Sequence, residues 1–169
     1  MDAAHSEVQF KVRHLMVSWV TGAFHKFEVT LEMEGQDLTT AEVNFTADVA
    51  SLSTNNEERD KHLRSKDFFD AENHPQMTFQ SNKLEKQTEE EYEMTGILTM
   101  RGQSHSITLK VEFSGIITDP RGNTRTGFTV NGNLNRTDFG ITFSRLAEAG
   151  EALLGETVTI LANTELLLV

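Results

Sequence analysis

The chain contains no cysteine. Disulfides, thiolate catalysis and cysteine-ligated metals are therefore excluded. The compartment stays open, because an exported protein can also lack cysteine. Basic residues are scarce: 15 Lys and Arg stand against 26 Asp and Glu, a formal charge of -11. Binding a phosphate backbone needs basic stripes, so nucleic acid is not an expected partner. The same balance argues against simple electrostatic docking onto anionic membranes, and its plain role is solubility. No apolar run reaches the length of a membrane span. Residues 1–10 carry no hydrophobic signal region, so the expected location is cytoplasmic, or periplasmic or secreted if a signal peptide has been removed. Only two prolines occur, Pro75 and Pro120, and neither interrupts a strand pattern.

What is present is alternation with a period of two, the signature of half-buried strands. It predicts eight of them. The first carries Val8, Phe10 and Val12, and the second Phe27, Val29, Leu31 and Met33. The third runs from Ala41 to Val49, the fourth is short and holds Met77 and Phe79, and the fifth runs from Tyr92 to Met100. Ile107 to Phe113, Phe128 to Leu134 and Val158 to Leu168 complete the set. Arg101-Gly102 and Asp119-Pro120-Arg121-Gly122 mark turns, the latter with residues that suit a type I turn. Glu89-Glu90-Glu91 is read as a solvated hairpin loop. Thr54-Asn55-Asn56-Glu57 fits a capping box opening a short helix over Glu57 to Ser65. Its spacing puts Arg59, His62 and Leu63 on one face. A second short helix is expected around His14 to Val20.

A chain of 169 residues suits one domain, residues 1–169. The pattern predicts an all-β fold. Eight apolar faces can be buried in a sandwich or in a single closed antiparallel barrel. Short connections favour the up-and-down barrel, and closure removes exposed edges. An eight-stranded barrel is either filled by its own side chains or holds one small ligand, and periodicity does not separate these two cases.

Several segments, in order along nearly the whole chain, resemble the YceI-like family. They are Asp2-Ala3-Ala4-His5-Ser6, His14-Leu15, Gly22-Ala23-Phe24, and Arg59 to Ser65 followed by Asp67-Phe68-Phe69-Asp70 and His74-Pro75. Gly96 to Gly102, Gly127-Phe128 and Asn135 to Gly140 follow. His74 stands where the family often has Tyr, and a short lead-in implies a clipped first strand. The resemblance implies a lipocalin-like barrel that holds a polyisoprenoid, such as a polyprenyl phosphate or an isoprenoid quinone precursor. It acts as carrier, store or sensor, needs no cofactor, and can form a homodimer.

On that reading the ligand-lining residues are Phe10, Val12, Phe27, Val29, Leu31, Phe45, Phe79, Leu98, Leu109, Val111, Phe113, Phe128 and Ile160. The alternative for the same residues is a packed core. Head-group candidates are His14, Arg59, His62 and Arg136. An arginine fork suits a phosphate, but the favoured reading of Arg59 with Asp60, and of Arg136 with Asp138, is a structural tie. His5, His14 and His25 match no zinc spacing, so no metal is expected. Ser104-His105 points to opposite faces of a strand and makes no dyad. The sequons at Asn44 and Asn135 carry little weight, because Phe45 places the first in a core strand. No nucleophile constellation appears, so no catalytic residue is assigned. The rival readings are an enzyme using the barrel as a reaction chamber and a scaffold for protein interaction.

Overall fold

Alternating side chains on long strands need a sheet whose one face is shielded from water, and the chain supplies this by curling the sheet on itself. A computed structural model describes residues 1–145 and 153–169. The strands are β1 (Glu7–His14), β2 (Ser18–Phe24), β3 (Phe27–Glu32), β4 (Glu42–Asp48) and β5 (Leu52–Ser53). The helix α1 (Glu57–Arg64) follows, then β6 (Gln76–Lys86), β7 (Glu91–Met100), β8 (Gln103–Thr118), β9 (Thr124–Asn135) and β10 (Leu154–Leu168). All pairings are antiparallel, in the order β3-β4-β6-β7-β8-β9-β10-β1-β2-β5. No helix among the described residues is long and apolar enough to cross a membrane.

There are ten strand segments rather than eight, and the reason is a corner. β2 passes into β3 across His25 and Lys26, and β4 into β5 across a 3-10 turn at Val49–Ser51. The two bent runs stay paired through the bend. Phe27 faces Ala47, and Phe24 faces Leu52. Between them Asp48 N–H donates to Lys26 O at 2.9 Å, and Lys26 N–H donates to Ser51 Oγ at 3.0 Å. The ten segments thus trace eight runs, and the ring closes through this corner. β1 is paired on both sides over most of its length. β6 is 11 residues long, not the short strand expected. Its pattern was obscured because a bulge between Ser81 and Lys83 breaks the alternation.

Two helix expectations are corrected. His14 to Val20 is a hairpin: Val17 N–H donates to His14 O, and β2 begins at Ser18. Apolar residues at Leu15, Met16 and Val17 imitate a helical stripe, but both flanks pair as strands. At α1 the cap is Asn56, whose side chain accepts from Arg59 N–H at 2.9 Å, not Thr54. A positive φ of 60° at Asn55 turns the chain so that Thr54 precedes the helix. Thr54 instead bonds Asp60, its N–H and Oγ1 reaching Asp60 Oδ1 at 2.8 and 2.6 Å. Burial works against ionisation of Asp60, yet hydrogen bonds from Thr54 and Ser53 together with the nearby Arg64 charge hold the carboxyl below its ordinary range. Arg64 completes the attachment, donating to Ala50 O and Leu52 O at 3.0 and 2.9 Å. The helix ends at Arg64 with Ser65 as C-cap.

The end of the barrel away from α1 is held by charge. Arg125 bonds Asp2 at 2.9 Å, Asp119 at 2.7 Å and Glu165. Asp119 also organises the turn predicted at 119–122, accepting from Arg121 and Asn123 N–H. The Arg125 hydrogen bond lowers Asp2 from 3.8 to about 2 and holds Asp119 well below the usual carboxylate range. Carboxylates depressed in the fold contribute stability above their unfolded pKa, and that stability fades as pH falls through the folded value. Native protein should therefore lose stability between pH ~4 and ~2, and Arg125→Met should flatten that loss. Urea midpoints across this range check it; an equally steep loss in the variant would assign the acid limb elsewhere. A second expectation concerns Gly96, opposite the β6 bulge. A Cβ there would collide with Gln80 O and the Phe79 ring. Gly96→Ala should cost about 2–3 kcal/mol, read as a lower Tm; an unchanged Tm would mean that the bulge yields freely.

Candidate functional site

The inward faces do not fill the ring. They surround a cavity of about 510 Å³, within the ~300–1,000 Å³ usual for ligand pockets. Of the residues expected to line it, Phe10, Val12, Val29, Leu31, Phe45, Phe79, Leu98, Leu109, Val111, Phe128 and Ile160 border this space. Phe27 and Phe113 do not. The Phe27 ring lies 6.4 Å from Phe45, and Phe113 sits 6.5 Å from Tyr92 and 5.5 Å from Phe128. Both therefore pack beside lining residues. Their side of the sheet was legible from alternation, but their height along the barrel was not.

One end of the cavity is polar. It is formed where β1 ends, β10 begins and α1 crosses, and all four head-group candidates border it: His14, Arg59, His62 and Arg136. Each is held differently. Arg59 Nε donates to Thr54 Oγ1 at 2.7 Å and its Nη2 to Thr54 O at 2.9 Å, which leaves part of its fork unspent. His62 Nε2 lies 2.7 Å from Asp67 Oδ2. Its ring meets Phe68 and Phe143 edge-on, with centroids 5.0 and 4.8 Å away. His14 is exposed at the end of β1, opposite Leu154.

Arg136 is the most constrained. It is 4% exposed and donates to Gly155 O at 2.8 Å, Ile141 O at 2.7 Å and Phe143 O at 2.9 Å. All of these acceptors are neutral carbonyls. Burial pulls its pKa below the ordinary arginine range, with Glu156 acting in the opposite direction. A guanidinium nevertheless stays protonated in proteins. The side chain thus ties the segment after β9 to the start of β10, and it also sets a fixed positive charge at the cavity wall. Asp138 takes no part in that tie.

The residues missed from sequence include strand positions such as Val43, Met94, Ile107 and Val130, which alternation marks as apolar, and a group in turns that it does not mark. Phe68, Phe69, Phe143 and the exposed Arg145 also border the cavity. They sit in turns after α1 and after β9, where no period marks them. Among the described residues the lining contains three arginines and two histidines but no Asp or Glu. In a chain with 26 acidic residues, the described cavity wall thus carries charge of one sign.

The other polar candidates do not converge on the cavity. Ser104 bonds Thr99 at 2.7 Å, while the His105 ring rests edge-on against Phe139 at 5.0 Å. His5 lies 3.2 Å from Asp2 at the opposite end from His14. Asp2, His5 and Glu165 could together ligate a cation, a grouping the sequence did not reveal, but Arg125 already bonds both carboxylates. Asn135 caps the turn that follows β9, accepting from Thr137 N–H at 2.9 Å.

Comparison with known proteins places this architecture. A UPF0312 protein of Staphylococcus epidermidis is 41% identical over 165 residues, covering 97% of this chain and 94% of the relative. The crystal structure of a Campylobacter jejuni YCEI protein superposes with a TM-score of 0.80 at 32% identity, covering 100% of this chain and 96% of the other. A polyisoprenoid binding domain from Saccharophagus degradans, implicated in plant cell wall breakdown, shares the fold with a TM-score of 0.71 at 13% identity, covering 95% and 92%. The YceI-like domain profile matches residues 1–166, and the chain belongs to the YceI-like domain family.

Proposed function

We propose that the chain binds a polyisoprenoid with an anionic, phosphate-bearing head, and carries or stores it without altering it. The observation that carries this reading is the sorting of charge. An apolar cavity of about 510 Å³ ends among Arg59, Arg136, Arg145, His14 and His62, and among the described residues no carboxylate borders it. Each chain methylene buried in such a lumen contributes about 0.8 kcal/mol, so the tail needs no specific partner. A head group without charge would leave the buried Arg136 unmatched, whereas a phosphate would neutralise it and accept bonds from the free part of the Arg59 fork. That favours a polyprenyl phosphate over a neutral quinone precursor. The fold shared with a polyisoprenoid binding domain supports the tail, and the residues at the mouth support the head. The role of carrier fits the geometry because the polar groups gather at one end and the lumen wall is apolar. His62 has a carboxylate beside it, but among the described residues no hydroxyl or amine side chain bonds its ring, so a reaction chamber has little to work with.

Protein purified without detergent should carry a lipid. Native mass spectrometry should show an added mass that organic solvent removes, and the apo protein should take up added polyprenyl phosphate. An apo mass alone, with no uptake, would count against lipid binding. A companion test separates cavity from packed core. Val111 borders the lumen on β8, and Lys110 faces out. Val111→Trp should cut lipid uptake while the apo protein stays folded; Lys110→Trp should do neither. If the lumen were packed, Val111→Trp would cost the apo state about 1–3 kcal/mol and lower its Tm.

A further inference from the structure

The β1–β2 turn is built against local preference. Leu15 and Met16 hold its two central positions with φ of 53° and 57°, and Val17 N–H closes it on His14 O at 3.2 Å. Two successive positive φ values define the type I′ hairpin turn, which favours Asn-Gly because side chains are strained there. Here the strained positions carry large apolar groups, and they face water. Leu15 is 44% exposed, Met16 61%, Val17 79% and Trp19 46%. The other exposed large hydrophobic residues, such as Ile97, Ile117 and Leu161, are single along the chain. Contiguous exposed apolar residues mark a contact surface, and retained strain marks a function.

Along the β1–β2 hairpin the charge runs opposite to the net charge of the chain. Residues 8–27 contain no Asp or Glu but include Lys11, Arg13 and Lys26, in a chain of net charge -11. Lys11 and Arg13 lie over the Trp19 ring, 5.0 and 4.3 Å from its centroid. A tryptophan beside cations and below an apolar tip is the composition of a membrane–water interface. The position fits as well. His14 and Val20, which flank the tip, border the cavity, and Leu15 N–H donates to Leu153 O at 2.8 Å. The tip therefore stands at the rim of the polar mouth.

We infer that the β1–β2 turn docks the barrel on a bilayer bearing anionic head groups, inserting Leu15, Met16 and Val17 with Trp19 at the interface. The net charge does not forbid this. At physiological salt, charges more than ~8 Å from the surface are largely screened, so the local patch governs contact. The whole-chain balance weighed in the sequence reading averages over this reversal. Docking is independent of cargo, and vesicles free of prenyl lipid test it alone.

Trp19 is the only tryptophan, so its emission reports the contact directly. With phosphatidylglycerol–phosphatidylcholine vesicles at physiological ionic strength, emission should shift to the blue and be quenched by brominated acyl chains. Pure phosphatidylcholine should do so more weakly. Leu15→Asn with Met16→Gly supplies the preferred turn sequence, so Tm should hold or rise while partition falls roughly tenfold or more. Val17→Ser leaves the turn geometry alone and should also weaken partition. Lys11→Gln and Arg13→Gln should each cost roughly fivefold on anionic vesicles. Uptake of polyprenyl phosphate delivered without vesicles should be unchanged in the Asn-Gly variant. Unaltered emission with anionic vesicles, or equal partition of the Asn-Gly variant, would overturn the inference and leave cargo binding untouched. So would Trp19 shielding that grows with protein concentration in the absence of lipid, which would assign the tip to a second copy of the chain.

Discussion

The pleat of a β-strand sends successive side chains to opposite faces, and everything else here depends on closing that pleat into a ring. Eight strand runs put alternate side chains outside, in water, and the others inside, around the lumen. At the mouth side of the bend the closing runs meet over a narrow seam. Only Ala23–Ser53 and Phe24–Leu52 pair β2 with β5, and the buried Asp60 and the Arg64 fork fasten α1 to the same corner. The helix that covers the mouth is therefore also part of what closes the wall. At the other end, Arg125 draws together the N-terminal segment, the 119–122 turn and β10.

A ring of this size leaves a lumen because its inward residues are neither all large nor evenly spaced. Gly22 and Gly96 give up side-chain volume beneath the Phe10 and Phe79 rings, which lets those rings lie against the wall. The aromatic groups that do meet across space, Phe10, Phe24 and Phe69, cluster at centroid separations of 5.6 to 6.3 Å. Charge follows the same division. Among the described residues no Asp or Glu borders the lumen, while Arg136 is anchored by neutral carbonyls and keeps its charge at the wall. Under the proposed function, a chamber apolar along its length and cationic at one end would select amphiphiles with a negative head.

Much of this was legible in the sequence, for identifiable reasons. A period of two survives wherever a strand is regular, which is why Phe10, Leu109, Val111 and Ile160 were placed on the inner face. It fails where the backbone departs from regularity. The Ser81–Lys83 bulge hid most of β6, and the bend at His25 and Lys26 hid the continuity of β2 with β3. Leu15 to Val17 read as a helix because a solvent-facing apolar turn violates the pattern that period analysis assumes. Phe68 and Phe143 were invisible as rim residues because tertiary packing alone brings their turns to the mouth. Arg59 and Arg136 were found by residue type. Their dual character, tie and charge at once, needed the hydrogen bonds to be seen.

The central claim is that the basic mouth recognises a phosphate on an isoprenoid tail. The direct measurement is titration of the delipidated protein with a polyprenol and with the polyprenyl phosphate of the same chain length, by calorimetry at neutral pH and at two ionic strengths. Charge-assisted contacts predict that the phosphorylated lipid binds roughly tenfold tighter or more, with the advantage shrinking as salt rises. Equal affinity for the two lipids at both ionic strengths would contradict the account.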